Sequence, residues 1–182
     1  MANELKGLKV AILVANGFEE SELFYPKKAL EDEGAKTTII SPETSEVKGW
    51  KIDNWGKEIS KDVDLDDAKV DDYDALLLPG GVMNPDKLRL YDKAIKFIKE
   101  FGDSGKPIAA ICHGPWTLIN AQLVKGKTIT SWPSLSIDLR NAGANWVDQE
   151  VVVDGKLVTS RKPDDIPAFN KEMIKLFSQK LK

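Results

Sequence analysis

The stretch Pro107-Ile108-Ala109-Ala110-Ile111-Cys112-His113-Gly114-Pro115 decides how the rest of the chain is read. An apolar run of strand length leads into a cysteine, then a glycine, then a proline suited to the first turn of a helix. This is the layout of a nucleophile elbow. The strand turns so sharply into a helix that only small side chains fit two positions before and two after the reactive one, and those positions hold Ala110 and Gly114. Position alone predicts a sulfur pointing up at the carboxyl edge of a sheet, with the start of the following helix favouring its thiolate. A lone cysteine elsewhere reads as a small buried hydrophobe; the strand–Cys–His–Gly–Pro context reverses that reading.

Working outward, the chain alternates in period. Val10 to Val14 is a continuous apolar run, as expected for a strand covered on both faces. Ser21 to Glu33 reads as a helix capped by Gly34, with Pro26 tolerable only within its first turn or two. Thr37 to Ile40 is a second strand, and Asp74 to Leu78 a third, stopped by Pro79-Gly80-Gly81. Between them, residues 44–70 are charged, with short strand-like pieces around Trp50, Ile52 and Ile59, and read as a surface ribbon outside the core. Ala94, Ile98 and Phe101 recur at helical spacing, and Pro115 to Ala121 opens a helix directly after the elbow. Asp154-Gly155 between two apolar runs signals a hairpin, and a last helix starts near Asp164 with Phe169, Met173, Leu176 and Phe177 on one face. Buried strands alternating with helices predict an α/β fold with a mostly parallel sheet and helices on both sides. Ligands in such sheets sit outside the carboxyl ends of the strands.

Composition narrows the chemistry. At 182 residues the chain is of single-domain length, 1–182, and 42% hydrophobic residues suffice for a full core. Twenty-six basic against 29 acidic residues provide no basic stripe for nucleic acid. One cysteine excludes a disulfide within the chain and a cysteine cluster for a metal, and one histidine excludes a zinc site built on several histidines. The apolar stretch Leu8 to Ala15 is too short for a signal sequence or a membrane span, which points to a reducing cytoplasm.

Candidate chemistry gathers where the strands end. Any Cys–His mechanism must use His113, whose ring serves as general base only if the turn brings it back beside the sulfur. Gly80 and Gly81 expose backbone N–H groups, one of which can pair with the N–H of His113 against an oxyanion. Glu19 and Glu20 read equally well as a solvated helix start. Glu22 can reach the sulfur, where a protonated carboxyl donates a hydrogen bond and moves protons.

With these residues in hand, the chain resembles the PfpI family, the intracellular-protease branch of the superfamily that includes the parkinsonism-linked deglycase. The motifs are Ala15-Asn16-Gly17-Phe18-Glu19-Glu20-Ser21-Glu22, Asp74 to Gly81, Pro85-Asp86-Lys87-Leu88-Arg89, the elbow itself, Asn141 to Ala144, Glu150 to Gly155, and Thr159-Ser160-Arg161 running to Asn170. The resemblance covers essentially the whole chain. It implies a flavodoxin-like three-layer α/β/α sandwich with Cys112 as nucleophile, His113 beside it, Glu22 bonded to the sulfur, and the N–H groups of Gly81 and His113 as the oxyanion site. Archaeal members complete a Cys–His–acid triad from a neighbouring subunit, and the matching position here is Asp86. Glu19, Gly80 and Trp132 line the implied substrate pocket.

Two departures from the archaeal pattern stand out. The acid is aspartate instead of glutamate, after a Val82-Met83-Asn84 loop one residue longer, and Trp132 replaces a tyrosine. The resemblance implies a cofactor-free cysteine hydrolase acting on methylglyoxal or glycation adducts in stress protection. The alternatives are an intracellular peptidase with an inter-subunit Cys–His–Asp triad, and a stress chaperone or redox sensor without turnover. Expected partners are a small aldehyde, a glycated adduct or a peptide, and further copies of the chain as a dimer or larger ring. A glutamine amidotransferase is rejected, because no histidine follows His113.

Overall fold

The computed structural model describes residues 3–179. Its main sheet has seven strands. Five are parallel neighbours: β1 (Lys9–Leu13), β2 (Lys36–Ser41), β5 (Ala75–Leu78), β6 (Ile108–Ile111) and β8 (Leu157–Ser160). The two-residue strand Val63–Asp64 extends one edge in parallel beside β2. At the other edge β7 (Val151–Asp154) pairs antiparallel with β8 across Gly155, as the Asp-Gly signal predicts. A separate hairpin, β3 (Glu46–Lys51) and β4 (Asn54–Ser60), stands off the main sheet.

Six helices cover the faces: α1 (Glu20–Asp32), α2 (Met83–Leu88), α3 (Asp92–Asp103), α4 (Pro115–Asn120), α5 (Ser136–Asn141) and α6 (Ile166–Ser178). The central strands β5 and β6 are apolar throughout, and β1 is apolar after Lys9, because both of their faces are buried. In β1, Val10 and Ile12 pack into one layer with Leu23, Leu30, Phe169, Met173 and Phe177. Ala11 and Leu13 pack into the other with Phe97, Ile98, Phe101 and Leu118. The sheet is therefore sandwiched between two cores, the flavodoxin-like arrangement.

Among the parallel strands the spatial order is β2-β1-β5-β6-β8, so the winding reverses between β1 and β5. In doubly wound sheets that reversal opens a crevice at the carboxyl ends of the two strands. The loops emerging there carry Glu19 and Glu22 from β1 and Gly80 and Gly81 from β5. The elbow leaves the neighbouring β6.

Several expectations are corrected. Residues 44–70 are not wholly a surface ribbon: Val47 is buried where the hairpin lies against the chain after β1, and Leu65 and Val70 pack into the core layer that holds Phe97 and Phe101. Ile52 is no strand residue; it sits in the hairpin turn at φ 58 and is 86% exposed. The Val82-Met83-Asn84 segment is not a plain loop but leads into the short helix α2, and α5 is a further helix that the periodicity does not announce. Pro26 lies within the second turn of α1, where its missing N–H removes one hydrogen bond without ending the helix.

Candidate active site

Cys112 occupies the first position after β6 with φ 63, a left-handed conformation that a side chain bearing Cβ rarely adopts. The turn is held from several directions. Cys112 N–H donates to Ser160 O (3.0 Å), Trp132 N–H donates to Cys112 O (2.9 Å), and Gly114 N–H closes back onto Ile111 O (2.9 Å). The absence of a side chain at Gly114 is required, since a Cβ there would stand 2.7 Å from Leu78 O and 2.9 Å from Ile111 O. Arg161, one residue beyond β8, fixes the adjoining loop. It donates twice to Asp165 (Nε to Oδ2, 2.8 Å; Nη2 to Oδ1, 3.0 Å) and once to Asp148 (2.8 Å).

The ring of His113 does turn back: its Nδ1 lies 3.3 Å from Cys112 Sγ. Trp132 stacks on it with centroids 5.9 Å apart at 24°, and Trp116 meets it edge-on at 5.2 Å. Enclosed in this way, the imidazole is pushed down to about 4 by burial and is neutral at pH 7. No carboxylate bonds its other ring nitrogen among the described residues.

Glu22 projects from the first turn of α1 and is fully buried. Its pKa is pushed up to about 8, first by burial, with the nearby charge of Glu19 adding to it. Among the described residues neither carboxyl oxygen has a hydrogen-bond partner of good geometry, although the N–H groups of Gly80 and Gly81 and the sulfur of Cys112 face it. A carboxyl in this setting keeps its proton near neutrality, and the sulfur is the acceptor beside it.

Packing here is tight. A Cβ on Gly80 would overlap Oε2 of Glu22 and stand 2.6 Å from Cys112 Cβ. Gly81 adopts φ 78, where a Cβ would stand 2.5 Å from Gly17 O. The N–H groups of Gly81 and His113 both face the sulfur and favour its anion.

The sulfur itself differs from expectation. Cys112 is only 7% exposed, so it does not face outward. Burial pushes its thiol up, the charge of Glu22 pushes the same way whenever that carboxyl ionises, and α4 is only six residues long. Burial thus outweighs the N–H groups and the short helix start, and the thiol is held above its ordinary range.

The remaining sequence candidates lie further out. Glu19 caps α1, accepting from Ser21 Oγ (3.0 Å) and Ser21 N–H (3.4 Å), and lines a crevice of about 300 Å³ with Phe24, Lys51 and Lys57. Trp132 is 39% exposed, with one face on His113. Asp86 sits exposed in the first turn of α2, and its carboxylate makes no hydrogen bond or ion pair among the described residues. Sequence reasoning misses Trp116, Arg161 and Asn84 as site residues. Asn84 is fully buried, accepts from Ala15 N–H (2.7 Å) and donates to the carbonyls of Pro79 (3.0 Å) and Gly80 (3.1 Å). Nothing in the sequence marks it, because its carbonyl partners are ordinary backbone a few residues earlier and its anchoring acceptor bond goes to Ala15 on the loop after β1.

Known proteins resemble this chain in sequence and in fold. General stress protein 18 of Bacillus subtilis is 45% identical over 175 residues, covering 95% of this chain and 99% of its own. A deglycase of Thermococcus kodakarensis is 42% identical over 169 residues, covering 93% and 99%. The crystal structure of Drosophila melanogaster DJ-1beta superposes with a TM-score of 0.81 at 27% identity, covering 100% of this chain and 98% of that one. Residues 8–176, from the start of β1 to the last turns of α6, match the DJ-1/PfpI family, and the chain belongs to it.

Proposed function

We propose that this chain is a cysteine-dependent hydrolase acting on methylglyoxal-type carbonyls, either the free dicarbonyl or its adducts on amines, in cytoplasmic stress protection. One observation carries this reading. A thiol, a neutral imidazole at 3.3 Å, a proton-bearing carboxyl and two backbone N–H groups converge on one sulfur. The deglycase and general-stress names of the two relatives support it.

In the free-dicarbonyl case the sulfur of Cys112 attacks the aldehyde carbon. The S–C bond forms, the C=O π pair moves to oxygen beside the N–H groups of Gly81 and His113, and the thiol proton passes to His113 Nδ1. That proton then reaches the oxyanion and completes the hemithioacetal. Glu22 exchanges its proton as hydrogen moves from the former aldehyde carbon to the adjacent carbonyl carbon, leaving a lactoyl thioester. Water hydrolyses the thioester to lactate and returns the thiol. The net change is addition of one water to methylglyoxal, with no cofactor.

The test is lactate formation from methylglyoxal by purified protein against Cys112→Ala. Wild type forms lactate and the variant does not; equal rates would remove the proposal.

A second reading, an intracellular peptidase completed across a subunit boundary, is favoured by a different observation. His113 has no acid of its own, whereas Asp86 presents an unbonded carboxylate on the surface. A second copy supplying Asp86 to His113 would raise the imidazole pKa and let it protonate a leaving amine. Loss of peptide hydrolysis in Asp86→Asn with unchanged assembly supports this, and absence of hydrolysis by wild type across fluorogenic peptides ends it.

A further inference from the structure

Asn84 uses both of its donors and one acceptor site at one place: its oxygen on Ala15 N–H at the end of β1, its amide on the carbonyls of Pro79 and Gly80 just past β5. The consequence follows from peptide geometry. The chain has no cis peptide bonds among the described residues, and in a trans peptide the C=O and the following N–H point in opposite directions. Holding Pro79 O therefore turns Gly80 N–H the other way, and holding Gly80 O does the same to Gly81 N–H. The other way is the site: both N–H groups face the carboxyl of Glu22, and that of Gly81 also faces the sulfur. Glu19 N–H, donating to Gly80 O at 3.3 Å, pulls on the same carbonyl.

We infer that Asn84 is the positioning residue for these donors, aiming the Gly81 amide at the reacting sulfur and the Gly80 amide at the Glu22 carboxyl by gripping the opposite edge of the same two peptides. The inference deepens the proposed function and rests on Cys112 attacking a carbonyl, but its test does not. Because the chain has a single cysteine, alkylation by iodoacetamide reports on that sulfur alone.

Asn84→Asp preserves the shape and the acceptor for Ala15 N–H. While ionised, it loses both donors to the carbonyls. Asn84→Leu loses every bond. Alkylation is followed from pH 5 to 10 on protein shown to be folded by circular dichroism, with methylglyoxal turnover measured alongside. Glu19, Glu22, Cys112 and His113, whose Nδ1 lies 3.3 Å from the sulfur, are the ionisable groups around this loop and the reporting thiol, and all four remain in both variants, so the ratio to wild type isolates position 84.

In Asn84→Asp, alkylation below the thiol pKa slows about tenfold, because Gly81 N–H no longer favours the anion. Turnover falls by about a hundredfold in kcat with KM nearly unchanged, the usual consequence of a lost oxyanion donor. Both deficits shrink at low pH, where the introduced carboxyl regains a proton and donates again. In Asn84→Leu they persist at every pH. An alkylation profile of folded Asn84→Asp that superposes on wild type overturns the inference, however much stability is lost. Altered alkylation in a protein whose wild type leaves methylglyoxal untouched upholds the positioning role and removes the proposed function instead.

Discussion

Glu22 is the residue whose burial has the widest consequences. Its folded pKa of about 8 lies above the ordinary carboxyl value, so the unfolded chain releases the proton first as pH rises. Stability contributed by the protonated form is whole below about pH 4.5, declines through neutrality, and is gone above about 8. At about 1.4 kcal/mol per unit, the loss is on the order of 5 kcal/mol. Glu22→Gln removes this dependence, and urea denaturation at pH 6 and pH 9 should show the variant gaining on wild type as pH rises. Its turnover drops by about a hundredfold or more, as for loss of a general acid–base group. His113 works in the opposite sense: its folded pKa of about 4 makes the protein lose stability as pH falls from about 6.5 towards 4. The presence of Cys112, His113 and Glu22 at one sheet edge was legible from strand ends alone. The burial of the sulfur was not, because solvent access there depends on Trp132 and the loops from three different strands.

At the level of elements, the elbow depends on missing atoms. Gly114→Ala would drive a Cβ into the carbonyls of Leu78 and Ile111, so β5 and β6 must part or the turn must reopen. Overpacking of this kind costs about 1–3 kcal/mol. Gly105, at φ 70 with open space for 4 Å around the place a methyl would take, offers the contrast: Gly105→Ala carries only the backbone penalty, about 1 kcal/mol. Denaturation midpoints of the two variants should separate, and Gly114→Ala alone should lose Cys112 reactivity. The strands were readable because burial on both faces leaves unbroken apolar runs such as Val10 to Val14. Helix α2 was not, since six residues with Pro85 in their midst and no side-chain cap carry neither periodicity nor a start signal. The grip of Asn84 was equally hidden, its acceptor bond reaching 69 residues back to Ala15.

Across the whole molecule, apolar side chains are left in solvent around the site end. Val82 and Leu90 flank α2, Tyr91 follows, and Trp132 and Ile137 are also exposed, with Leu90 83% exposed. The peptidase proposal calls for a second copy on this surface, with its Asp86 reaching His113. Leu90→Glu should shift the assembly towards monomer in light scattering and reduce turnover in parallel. A wild type that is monomeric at micromolar concentration and fully active would exclude the shared site.

The left-handed backbone at Cys112 also bears on how such a chain can change over generations. Holding a residue with Cβ there carries a torsional burden of about 1–3 kcal/mol, tolerated only while the thiol is useful. A descendant freed from chemistry would gain robustness by exchanging it for glycine or asparagine. Inactive cousins of this protein should therefore be recognisable by that one replacement, on an otherwise undisturbed scaffold.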